Sequence, residues 1–413
     1  MILENMLVLI IGILVAMEYG LRHLIRWLRQ DCQWLITEVD DFPTINITAL
    51  RKFLDGSFDP LLGWVRRPNT VGVEKGANGT VSFQIDEYGA RYSGIASIHP
   101  PQVAAFGDSY VFGRQVDNHE TWCALLGNQG VGEVLNFGVG NYGADQGLLR
   151  YENTILPPSV KIVILGFVPE TICRIHSYWK HYLEFGNTFA FKPRFILNSV
   201  GDLELVPCAV SCEKDFLTIR ERIEKIHKYD DFYKRKFRIL QFRGCYLLSL
   251  LRRPRRQFWL ILSAVRGKFS SHGPGEKPFT LVVKRNIEEA NAMYQEEKPQ
   301  QLLRAIIERF AFIAQQRGHL PLILILPQLY DLYGGVGNTA PYQNFFSDVG
   351  LHVPLLDMTE KLRQEDIHSL YVEDSYGGHL SARGNVVVAR YVAEWIEKSI
   401  NTETVFSTTL SDQ

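Results

Sequence analysis

The sequence has no CxxC pair and no cysteine–histidine cluster at metal-ligand spacing. Its six cysteines, at 32, 123, 173, 208, 212 and 245, are scattered, and only Cys208 and Cys212 are close. They read as mostly buried thiols, and no metal site is expected. A dominant charge is also missing: 44 Lys and Arg stand against 45 Asp and Glu, for a net charge of −1. Such a balance offers no basic field to hold a nucleic acid, so none is expected as a partner. There are no internal repeats and no low-complexity tract, which sets aside solenoids and linkers. What remains is a 413-residue chain, 46% hydrophobic and 12% aromatic. That is enough apolar material for one large domain or two ordinary ones.

Long apolar runs are scarce as well, with one exception at the N-terminus. From Asn5 to Met17 no residue is charged, and Glu4 and Glu18 flank the stretch. Thirteen uncharged residues are short for a span, which needs about 20. Extension to Leu28 supplies the length if Glu18 finds an interface or a partner. Residues 1–30 therefore read as a single-helix membrane anchor, with an interfacial helix or a signal-like segment as alternatives. A cleaved signal is disfavoured because no positive n-region precedes the apolar run. Arg22, Arg26 and Arg29 follow the run, and this charge bias keeps the main domain cytoplasmic.

The remainder divides by pattern. Residues 31–100 form a leader: helical at first, turn-rich in "FDPLLGWVRRPNT" (58–70), then a small β-hairpin in "TVSFQIDEYGARY" (80–92). From 102 onward, short apolar strands alternate with helices. "QVAAFG", "EVLNFGV", "VKIVILGF", "LPLILILP" and "LHVPLL" read as strands. Helices are predicted at 119–129, 144–155, 286–317 and 380–399, and the tail from 401 to 413 reads as flexible. Continuously apolar strands between helices predict a parallel sheet covered on both faces. In such sheets ligands bind beyond the carboxyl ends of the strands.

The domain at 101–400 is interrupted by an insertion at 170–285, too long for a plain loop. Within it, Lys234 to Lys268 carries eleven Lys or Arg and no acid, with apolar runs "YLLSLL" and "FWLILSAV". This segment reads either as a basic helical cap on the sheet or as a surface that touches anionic lipid.

Chemistry is expected where the first strand ends. In "VAAFGDSYVFG" (103–113) an apolar run stops on Gly-Asp-Ser. A serine hydroxyl needs a base within hydrogen-bond reach and donors for an oxyanion before it acts as a nucleophile. Among eleven histidines, His379 lies in "DSYGGHLSARGNVVVARYVAEWI" (374–396), just before the last helix. On a doubly wound sheet that loop falls on the same edge as Ser109. Asp108 reads as a brace for the loop, Ser381 as a helix N-cap, and Arg91, Arg174 and Arg194 as structural pairs.

Three blocks in this order, "GDSYVFG", "LNFGVGNYGADQ" and "GGHLSARGN", resemble the SGNH (GDSL-type) hydrolases, over about 102–170 and 318–397. The leader segments "FDPLLGW" and "YGARY" resemble those of many bacterial members. The resemblance implies a flavodoxin-like three-layer α/β/α sandwich. It makes Ser109 the nucleophile and one oxyanion donor, His379 the general base, and Gly140 or Asn141 the second donor. No cofactor or metal is implied. The implied substrate is an ester, with O-acetyl groups of a cell-envelope carbohydrate the natural class for an anchored member, or a lipid. Many members are exported, which opposes the charge bias at the anchor.

Two departures stand out. The family's third block supplies an Asn after the third strand, and here the strand runs into "LGFVPETICR" with none. The family's Asp two or three residues before the histidine is replaced by Gly377 and Tyr376, so the nearest acids are Asp374 and Glu373. Either Asp374 completes a triad, or a backbone carbonyl orients the ring of a dyad. A catalytically weakened scaffold that binds a glycan or lipid is the alternative function.

Overall fold

The computed structural model describes residues 2–77, 79–94, 99–269, 277–333, 337–348, 352–372 and 378–411, with 277–282, 348 and 401–411 described by their backbone. The chain divides into two compact units. One comprises Met1–Leu54, Ser177–Lys192 and Ala209–Val282; the other comprises Asp55–His176, Pro193–Cys208 and Val283–Gln413. The basic segment thus belongs to the unit that holds the N-terminal helix, and the sheet belongs to the other.

The second unit is a three-layer α/β/α sandwich. Its strands are β1 (Val103–Gly107), β2 (Val134–Gly138), β3 (Ile162–Phe167), β4 (Leu320–Ile325) and β5 (Leu355–Asp357), all five predicted. They pair in parallel in the order β2-β1-β3-β4-β5. This is the flavodoxin-like order, and the sequence of strands reverses direction between β1 and β3. Strands β1 to β3 are wholly buried, which explains their largely apolar character. Val103, Ala105, Ile162 and Ile164 face a layer built from Trp122, Leu126 and Val388, Val392 and Ile396 of the last helix. On the opposite face Phe106 stacks on Phe137 at 4.9 Å and meets Tyr151, which meets Phe310.

Three elements differ from expectation. The hairpin pairs Thr70–Gly76 with Gly79–Ile85, so its first strand begins where the sequence reading has turns. Strand Thr70–Gly76 is largely exposed: Val71 and Val73 share a face with Lys75, an apolar alternation too short to stand out. The single helix predicted at 286–317 is two helices, Lys277–Met293 and Glu297–Gln316. Pro299 lies in the first turn of the second, where a missing N–H costs nothing, and buried Tyr294 donates its hydroxyl to the Pro169 carbonyl at the break. The closing helix, Ala382–Ser411, runs on through the stretch read as a tail. Of the cysteines, Cys32, Cys123 and Cys173 are buried, while Cys212 and Cys245 are exposed.

The first unit begins with helix Ile2–Leu28, which is long and apolar enough to cross a membrane. Its final turns pack with the basic segment: Ile25 and Leu28 share a core with Phe242, Tyr246, Leu260 and Ala264. An aromatic cluster around Trp179, His181, Tyr182 and Phe237 forms a second core. Asp230 ties it down by accepting from the backbone N–H groups of Tyr178 and Trp179 at 2.7 and 2.8 Å. Burial there lowers the His181 pKa to about 4.

Candidate active site

Gly107 ends β1 with φ of 150°. A β-carbon there would lie 1.8 Å from the Gly166 carbonyl oxygen of β3, so only glycine lets the two strands approach. Asp108 then caps the short helix Ser109–Phe112, its side chain accepting from Tyr110 N–H at 2.8 Å. Ser109 opens that helix and is buried.

His379 Nε2 lies 2.9 Å from Ser109 Oγ, a contact between residues 270 positions apart. Two features hold the histidine there. The Tyr110 hydroxyl donates to the Gly378 carbonyl at 2.7 Å, and its ring lies 5.0 Å from the imidazole. Downstream, Ser381 Oγ accepts from Gly384 N–H, capping the closing helix as expected. Asn385 accepts from Trp122 N–H and donates to the Ser381 carbonyl, which locks the helix start onto the sheet's first layer.

Gly140 and Asn141 lie on the loop after β2, at the same edge. Gly107 and Gly138 are register partners, and Val139 N–H donates to the Gly107 carbonyl at 2.9 Å. Asn141 adopts φ of 68°, which Asn tolerates better than most residues. Open space lies where a Gly140 side chain would be. The leader reaches this loop: Trp64 Nε1 donates to the Gly140 carbonyl at 2.9 Å, and the Tyr142 hydroxyl donates to the Trp64 carbonyl. Asp374 lies outside the described residues.

Asn136 was not singled out by the sequence reading. It is buried on β2, donates to the Val111 carbonyl at 2.8 Å, and accepts from Gly138 N–H at 3.0 Å. The strand thereby grips both the Ser109 helix and its own terminal loop. One polar residue inside the apolar run "VLNFG" was the available signal, because a buried amide needs partners. Arg91 acts similarly. It donates to the carbonyls of Phe112, Gly113 and Val116 rather than pairing with an acid, and burial lowers its pKa to about 10.

In "VPETICR" (168–174), after β3, a charged network stands. Arg174 reaches Asp108 at 3.2 Å and Glu170 at 2.9 Å, with all three side chains nearly inaccessible. Asp108 also accepts from Val168 N–H. Burial raises the Asp108 pKa, against the pull of Arg174 and the two N–H groups. Arg174 and Asp108 thus brace the Ser109 turn against the loop after β3, as the sequence reading has them. Arg194 donates to the His176 carbonyl at 3.0 Å.

The network continues through Gln328, which donates to Glu170 and whose N–H donates to Asp331. Burial, reinforced by Glu170, raises the Asp331 pKa to about 7, while Gln328 N–H and Arg363 oppose the shift. The folded state therefore keeps a proton that the unfolded chain releases near its ordinary value of 3.8. Stability falls as pH rises through that window. Between pH 5 and pH 8 the wild type is expected to lose on the order of 2–3 kcal/mol that Asp331→Asn retains, as read by chemical denaturation at both pH values.

No protein-family model matches this chain, and no curated protein does. Among solved structures it is similar to a "putative lipolytic protein of G-D-S-L family from Desulfitobacterium hafniense DCB-2". The two share 12% identity with a TM-score of 0.31, over 71% of this chain and 99% of that one.

Proposed function

We propose that this protein is a serine hydrolase acting on an ester bond. The carrying observation is the 2.9 Å contact between Ser109 Oγ and His379 Nε2. It lies at the carboxyl ends of the strands, beside the reversal point where ligands of this fold class bind. In this reading His379 Nε2 takes the Ser109 proton as Oγ attacks the ester carbonyl carbon. The oxyanion is met by the N–H groups of Ser109 and of Gly140 or Asn141. Collapse of the tetrahedral intermediate expels the alcohol, which receives the proton from His379. Water, activated by the same imidazole, then releases the acid and restores Ser109; a second alcohol in its place makes the reaction an acyl transfer.

The substrate class rests on the resemblance: an O-acetyl group of a cell-envelope carbohydrate, or an acylated lipid. The N-terminal helix supports action at a membrane, and the arginines that follow its apolar run favour a cytoplasmic main domain. Labelling with a fluorophosphonate tests the nucleophile.

The imidazole needs an acceptor at Nδ1 to hold the right tautomer, and Asp374 is the proposed one. Asp374→Asn is expected to lower kcat on a nitrophenyl ester by at least about tenfold. An unchanged rate would replace the triad by a dyad with a backbone carbonyl. A second reading, a weakened scaffold that binds a glycan or lipid, draws on the absent Asn after β3. One missing oxyanion donor costs about 10²–10³ in rate. A chain that binds acylated ligand yet resists fluorophosphonate would favour it.

A further inference from the structure

We propose that helices Tyr246–Arg252 and Pro254–Lys268 form a contact surface for anionic phospholipid headgroups. This goes beyond the hydrolase reading and does not depend on it. The second helix has two unlike faces. Gln257, Leu260, Ala264 and Gly267 are buried, and Leu260 and Ala264 pack in the core shared with Ile25 and Leu28. The other face carries Arg255, Phe258, Trp259 and Arg266, spaced as one helical stripe, and all four are exposed. Phe258 is 64% and Trp259 56% exposed, and Leu248 and Leu251 of the preceding helix are 58% and 69% exposed. A face turned only to water would be polar. Arginine interleaved with large apolar and aromatic side chains is what a bilayer interface selects.

Continuity with the N-terminal helix supplies the occupant. Glu18, the first charge after the apolar run, accepts from the N–H groups of Tyr246 and Leu247 at 2.8 and 2.9 Å, and pairs with Arg22 at 2.7 Å. The carboxylate is thus satisfied where the two segments meet. Beyond it, Met6 to Val15 stand about half exposed, with no protein cover. Residues 2–17 span only about 24 Å as a helix, less than the roughly 30 Å hydrocarbon layer. With that stretch in lipid, Glu18 and the helices attached to it lie at headgroup level. The acid-free composition of 234–268 then favours an anionic leaflet.

The test uses the full-length protein in vesicles of phosphatidylcholine with or without phosphatidylglycerol, either lipid carrying brominated chains. The difference between wild type and Trp259→Phe isolates the Trp259 emission. Bromine is expected to quench it, and more strongly when carried by phosphatidylglycerol. The Arg252→Gln/Arg253→Gln/Arg255→Gln variant, which adds no opposing charge to perturb folding, is expected to lose about half of that quenching. Circular dichroism of the same samples checks that the variant is folded. A Trp259 signal quenched by aqueous acrylamide but by neither brominated lipid would overturn the proposal, leaving a face for water or a protein. Equal quenching by both lipids would overturn the anionic preference.

Discussion

Ser109→Ala is expected to abolish fluorophosphonate labelling and to lower kcat on a short-chain nitrophenyl ester by at least about 10³-fold. A nucleophilic step cannot be rerouted through the methyl group, and His379 then has no hydroxyl to deprotonate. The residual rate would come from the oxyanion donors and substrate binding alone. KM should change little, because the substitution removes one small oxygen from a wall that stays in place. Folding should be unaffected: Ser109 contributes its backbone to the short helix, and the cap comes from Asp108. Retained labelling in that variant would refute the hydrolase mechanism as drawn.

The largest expected loss of stability belongs to Gly107→Ala. The residue sits at φ of 150°, where an L side chain is strained, and the new β-carbon meets the Gly166 carbonyl at 1.8 Å. Relief requires β1 and β3 to separate at the point where the site is built. A cost of about 3–5 kcal/mol follows, with Tm lower by roughly 5–9 °C for a unit of this size. Gly140→Ala is the control. It has open space and no positive φ, so its stability should stay within about 1 kcal/mol of wild type. Comparable melting of both variants would mean that the close approach of β1 and β3 is not what the glycine serves.

Much of the site was legible because its parts are local. An apolar run must be buried, and Gly-Asp-Ser at its end turns the chain at a strand terminus. A glycine pair before "HLSARGN" likewise marks a tight entry to a helix. Each signal lies within a dozen residues, the range over which periodicity and capping act. The hairpin strand at 70–76 was hidden because its faces are mixed and exposed, although its partner, Gly79–Ile85, is its neighbour in sequence. The break at 294–296 did carry a local signal in Pro299, which a single helix over 286–317 passes over.

By itself, then, the sequence determined five apolar strands, the alternation of strand and helix, the serine at the end of β1 and the histidine before the last helix. Tertiary structure decided which strands lie side by side, since parallel pairing is chosen by crossovers and packing rather than by any strand alone. The β2-β1-β3-β4-β5 order brings the Ser109 and Gly140 loops to one edge. Folding also brought His379 across 270 positions to Ser109 and set Arg174 between Asp108 and Glu170. It paired Glu18 with the backbone of Tyr246 and Leu247, which satisfies the charge that ends the apolar run of the first helix. Buried charges and polar groups persist only with partners, and those partners come from distant segments that converge only on folding.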